Sequence, residues 1–118
     1  MRLVVRGQHM QLDESVRETI SRRLGSALSR FAERIRSTEV QVADVNGPRG
    51  GMDKRCTIAV RMTGAGTVVV KDKHADPHVA VARAFERVGR AVAQLLERRR
   101  EGRKHGLVKS RSLLPSSR

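Results

Sequence analysis

The sequence predicts an α+β fold: a single domain of order β-α-β-β-β-α, with two helices packed on one face of a four-stranded mixed sheet and a mobile basic C-terminal tail. Three observations predict it. Residues 13–35 and 76–102 repeat apolar side chains every three or four positions, the period of an amphipathic helix. Four shorter stretches alternate apolar with polar residues or are rich in valine, as half-buried strands are. Glycine-rich turns separate the last three of those stretches. At 118 residues and 13.1 kDa the chain fits one domain.

The first strand is Leu3-Val4-Val5, ended by Gly7, with Arg2 and Arg6 on one face and Leu3 and Val5 on the other. Asp13 is placed to cap a helix, with Leu12 before it as a staple residue. Val16, Ile20, Leu24, Ala27, Leu28, Phe31 and Ile35 then form one apolar stripe, about five turns long at helical periodicity. Gly25 lies inside that helix at a cost of about 1 kcal/mol against alanine. Val40 and Val42 alternate with Glu39 and Gln41 in a second strand over residues 37–45. Cys56, Ile58, Val60 and Met62 alternate with Arg55, Thr57, Ala59 and Arg61 in a third. The run TGAGT is a hairpin turn, and Val68, Val69 and Val70 mark a fourth strand over residues 67–71. Asp76-Pro77 opens the second helix, with the stripe Val81, Phe85, Val88, Val92, Leu95 and Leu96 and fraying expected near Gly102.

The strand-helix-strand start predicts a parallel pairing of strands one and two through a right-handed crossover. Short connections make strands two to four an antiparallel meander. The face away from the helices would then show Arg6, Arg55, Thr57 and Arg61 to water. Residues 1–101 are expected to form the domain and 102–118 the flexible basic tail, which has no sustained periodicity.

Charge carries the functional signal. The formal net charge is +13 at pH 7, and the sequence pI is about 11.6. A field of that sign attracts polyanions, nucleic acid first. Eight basic residues and one acid lie from Arg98 to Arg118. At 100° per residue Arg23, Arg30 and Arg34 run along one flank of the first helix. Arg83, Arg87, Arg90 and Arg98 do the same on the second. Two helices side by side would merge these flanks into one basic track. Single-strand binders stack bases on exposed aromatics. This chain has no Trp or Tyr, and Phe31 and Phe85 both fall at core positions. Recognition by phosphate contact and shape remains, which suits structured RNA.

Other chemistry is excluded or left open. No apolar run reaches the roughly 20 residues of a membrane span, and the N-terminus lacks a secretory signal pattern. Cys56 is the single cysteine and is expected inside a strand, consistent with a reducing, cytoplasmic location. No nucleophile–base pairing stands out, so an enzyme is not expected, nor a cofactor or a small-molecule substrate. Asp72, His74, Asp76 and His78 are spaced loosely for a metal site, and Asp76 already has a capping role, so no metal is expected. The run DVNGPRGGMDKRC joins strands two and three. Two readings of it stay open: a hairpin connection, and a flexible finger placing Arg49 and Lys54 on RNA phosphate. It is not a Walker loop.

The element order, the opening RLVVRGQHMQLDESVRETISRRLGSALSRFAERI and the second helix DPHVAVARAFERVGRAVAQLLERRR resemble the ribosome hibernation promoting factor family. Its short forms are also called ribosome-associated inhibitor or protein Y, and sigma-54 modulation protein. The resemblance covers roughly residues 1–104 and includes Gly7-x-His9, Arg17, the pair Arg22-Arg23, and Arg30-Phe31 through Arg34-Ile35. It implies a cytoplasmic protein that binds small-subunit ribosomal RNA in the mRNA and tRNA channel and halts translation in stressed or stationary cells. The basic residues it implicates are Arg22, Arg23 and Arg30 on the first helix, and Arg83, Arg87, Arg90 and Arg98, Arg99 and Arg100 on the second. The sequence lacks the separate C-terminal dimerisation domain of the long forms, so it is not expected to pair ribosomes by that route; a monomer is expected. It also reads DPHVAVARA where many members carry an aromatic. The rival expectations are a general structured-RNA or DNA module, and a protein-interaction regulator whose basic tail meets an acidic partner.

Overall fold

A computed structural model describes residues 1–45 and 53–105, with backbone alone for 100–105. The expected glycine-rich finger with Arg49, the side chain of Arg100 and residues 106–118 of the expected mobile tail lie outside the described residues, while 102–105 of that tail are helical. In chain order the elements are β1 (Arg2–Gln8), α1 (Glu14–Leu28), a 3-10 segment (Ser29–Arg34), β2 (Ile35–Asp44), β3 (Lys54–Met62), β4 (Gly66–His74) and α2 (Pro77–His105). The sheet order is β1-β2-β3-β4. β1 and β2 are parallel, β2/β3 and β3/β4 antiparallel, as the short connections require.

The β1–α1 turn explains the Gly7-x-His9 pattern. A Cβ built on Gly7 would stand 2.5 Å from the Met10 carbonyl oxygen, so no side chain fits there. His9 takes a left-handed φ of 60°, which tightens the reversal toward α1. Asp13 then caps α1, accepting from the Val16 amide at 2.9 Å.

Helix α1 stops at Leu28, short of the expected Ile35. Its apolar stripe continues because the 3-10 segment also turns Phe31 onto the core. Ile35 is already the first residue of β2, paired with Met62, and the Thr63 amide donates to the Arg34 carbonyl at 2.9 Å. The sheet ladder therefore captures the end of the periodic run. β4 extends past the expected Lys71 to His74. Asp72 on its helix-facing side broke the apolar alternation, and two arginines of α2 offset that charge. α2 continues past Gly102 to His105.

The core lies between the sheet and the two helices. Val16, Ile20 and Leu28 of α1, Phe85, Val88 and Val92 of α2, and Val40, Val42, Ile58 and Val60 of the sheet are buried. Each such side chain contributes about 1.5–3 kcal/mol on burial. Buried Thr38 places its hydroxyl 3.2 Å from the Met1 sulfur.

Candidate nucleic-acid interface

The two helices approach closely where Gly89 is buried against Ala27. Above that contact a groove of about 530 Å³ opens between α1 and α2. Arg23 and Arg30 line it from the α1 side, Arg83 and Arg90 from α2, with Glu86 among them and Phe85 at its floor. The small residues at the crossing draw the two cationic flanks together. Arg30 is steadied by its own neighbour: its guanidinium carbon lies 4.6 Å from the Phe31 ring centroid.

The other predicted residues are placed as follows, and Arg83 has a second contact besides the groove. Arg22 is exposed on α1 outside the groove lining, and Arg34 is exposed on the 3-10 segment rather than on the helix flank. Arg98 and Arg99 are exposed toward the end of α2. Arg83 and Arg87 are partly committed to Asp72, at 3.6 and 3.5 Å. Arg87 also donates to the Lys71 carbonyl. Lys54 is half-buried and paired with Asp44 at 3.7 Å.

The His/Asp run is structural in its contacts. Asp76 accepts from the His78 amide at 2.9 Å and so caps α2, while His74 Nδ1 accepts from the Asp76 amide at 3.0 Å. His78 reaches back to α1, with Nδ1 2.7 Å from the Thr19 hydroxyl and Nε2 3.2 Å from Ser15 Oγ. Among the described residues no group of three or more His, Cys, Asp or Glu is arranged to hold a metal ion. Cys56 is fully buried, and burial, reinforced by the Asp72 charge, pushes its thiol up to about 12. Among the described residues no helix is long and apolar enough to cross a membrane.

The open sheet face is more basic than the sequence reading anticipated. Arg6 and Arg61 flank Glu39 there at 3.6 and 3.9 Å. Lys71 and Lys73 of β4 are exposed on the same face as Arg55. Lys71 falls inside the expected strand but was not assigned to this face, and Lys73 was missed because the strand is expected to end at residue 71; the alternation Val69, Lys71, Lys73 is the available signal.

Residues 3–100 match the family described as sigma 54 modulation protein / S30EA ribosomal protein. The chain belongs to that family. The N-terminal domain of Protein Y from Thermus thermophilus superposes on this sigma 54 modulation/S30EA chain with a TM-score of 0.66 at 22% identity, over 80% of this chain and 98% of the other. A ribosomal subunit interface protein from Coxiella burnetii gives a TM-score of 0.69 at 13% identity, over 80% of this chain and 96% of the other. No curated protein sequence matches the chain. The family match and the shared fold agree with the resemblance to hibernation promoting factors read from the sequence.

Proposed function

We propose that this sigma 54 modulation/S30EA family member is a ribosome hibernation factor. In this reading it binds small-subunit ribosomal RNA in the mRNA and tRNA channel and blocks translation, acting in the cytoplasm as a monomer without a cofactor. Residues 1–101 form the binding domain and 102–118 a basic tail. The observation that carries the reading is the α1/α2 groove, where Arg23, Arg30, Arg83 and Arg90 converge in one cleft. Arginine forks suit phosphate recognition, and no exposed aromatic platform competes with that mode. In this reading Arg22, Arg34, Arg87, Arg98, Arg99 and Arg100, together with Arg49 and Lys54, also contact RNA.

Sedimentation with purified small subunits across a salt series tests it. The wild-type chain should co-sediment at low salt and be released by salt or by bound mRNA and tRNA. Each phosphate contact contributes about 0.7–0.9 to the log–log salt slope. A variant carrying Arg23→Gln, Arg30→Gln and Arg90→Gln should therefore lose about 2–3 from that slope. Equal affinity for naked duplex RNA and for ribosomes would overturn the ribosomal assignment.

A further inference from the structure

We propose that the open face of the sheet holds a second phosphate-binding site, formed by Arg55, Lys71 and Lys73, which takes an RNA phosphodiester. The protein would then grip RNA from both of its faces, the helical groove on one side and the sheet on the other. Naming RNA as the source of the phosphate rests on the function proposed above; the site itself does not.

The register of β3 and β4 sets the site. Arg55 is directly opposite Lys73, and Lys71 is one step along, opposite Thr57. Like charges directly opposite across a ladder repel, and a bridging anion removes that repulsion. The neighbouring β2 position is Ala43, opposite Arg55, which supplies no carboxylate. Glu39 is the one carboxylate carried by the strands on this face among the described residues, and it is engaged by Arg6 and Arg61. Arg55 Nε is buried and has no hydrogen-bond partner among the described residues. A buried unpaired donor on a charged group is costly, and an anionic acceptor relieves that cost. A depression of about 440 Å³ beside it is lined by Val45, Arg55, Lys71, Asp72 and Lys73. The Asp72 carboxylate faces the other way, toward Arg83 and Arg87.

The chemistry selects a polyanion over a lone ion. Lys71 and Lys73 are exposed two residues apart on an edge strand, a spacing of about 7 Å. That is the order of the step between successive phosphates on one nucleic-acid strand. Arg6 and Arg61 continue the positive field across the same face. Among the described residues Val69, 54% exposed, and half-buried Val45 offer apolar surface beside it, too little to anchor the face in a lipid layer.

Nitrogen-15 NMR of the arginine Nε–H groups in the full chain, titrated with inorganic phosphate, tests the site without a ribosome. The Arg55 signal should move with a midpoint in the low millimolar range. Lys71→Gln with Lys73→Gln should weaken that midpoint at least fivefold. Both lysines are exposed, so this variant keeps its fold, and Arg55→Lys provides a second one that retains charge but loses Nε. An equal drift of all exposed arginines would mean an adventitious ion only, and either that or an unmoved Arg55 signal would overturn the site.

Adding the two lysine changes to the Arg23, Arg30 and Arg90 variant should weaken small-subunit binding about tenfold further and lower the salt slope by about 2. No additional loss, with the Arg55 shift intact, would overturn RNA as the ligand. So would competition by anionic phosphatidylserine vesicles but not by RNA. If the wild-type chain bound no ribosome yet Arg55 responded to phosphate, the proposed function would fall and the phosphate site would stand.

Discussion

Gly89 of α2 lies against Ala27 of α1 so closely that a Cβ at position 89 would sit 3.2 Å from the Ala27 carbonyl oxygen and 3.4 Å from its Cβ. Gly25, two residues before Ala27 on α1, faces open space where a Cβ would project. The two glycines therefore respond oppositely to enlargement. Gly25→Ala should stabilise the fold by about 0.5–1 kcal/mol through helix propensity. Gly89→Val should destabilise it by about 2–3 kcal/mol, as overpacking does, and should weaken ribosome binding by spreading the groove. Urea denaturation of the two variants checks the sign of each.

Gly7 presents a different obstacle, since its neighbour is backbone rather than a side chain that can turn away. Gly7→Ala should cost about 2–3 kcal/mol, because the Met10 carbonyl must move to admit the methyl group. Thermal unfolding measures it. A change within about 0.5 kcal/mol would show that the β1–α1 turn relaxes freely.

Asp72 restrains two arginines from the edge of the sheet. Asp72→Asn should lower stability by about 1 kcal/mol, given that both guanidinium groups are half exposed. The same change frees Arg83 and Arg87 for phosphate and removes a competing charge, so affinity for small subunits should rise severalfold at low salt. Filter binding across a salt series reads this directly; weaker binding would show that Asp72 positions the arginines instead of withholding them.

The pH dependence of stability has a component at Asp13. The Val16 amide, then the Ser15 hydroxyl, hold its carboxyl below the usual carboxylate value, with His78 adding a smaller share. A folded-state pKa below the unfolded one gives stability that is present above about pH 4 and is lost as pH falls through the folded value. Asp13→Asn keeps a capping side chain but cannot titrate. The stability gap between wild type and this variant should narrow as pH drops from about 5 to 2, followed by circular dichroism in urea. A gap independent of pH would show that the cap is not carried by the ionised form.

Much of this architecture was legible from residue order. The alternation around Ile58 and the stripe through Phe85 fixed β3 and α2, because burial on one face imposes those periods. Position 35 was misread because a 3-10 turn keeps an apolar residue facing inward nearly as a helix does, so Phe31 and Ile35 look helical until the ladder partner Met62 is known. The helical arginines were legible as flanks. Their partition was not: Arg23, Arg30 and Arg90 line the groove, Arg83 lines it while also meeting Asp72, and Arg87 is turned to Asp72, a residue on β4 and distant in sequence from α1. Arg55 and Lys73 meet only through strand register, which no local pattern encodes.

The parallel pairing of β1 with β2 also bears on how the chain is made. Arg2 finds its ladder partner only at Ser37, with all of α1 in between. During synthesis the N-terminal segment therefore leaves the exit tunnel long before anything exists for it to pair with. The β2–β4 meander needs no such wait, so β1 should dock onto an assembled sheet edge, and pulsed hydrogen exchange should find the β1 amides that point toward β2 among the last to gain protection.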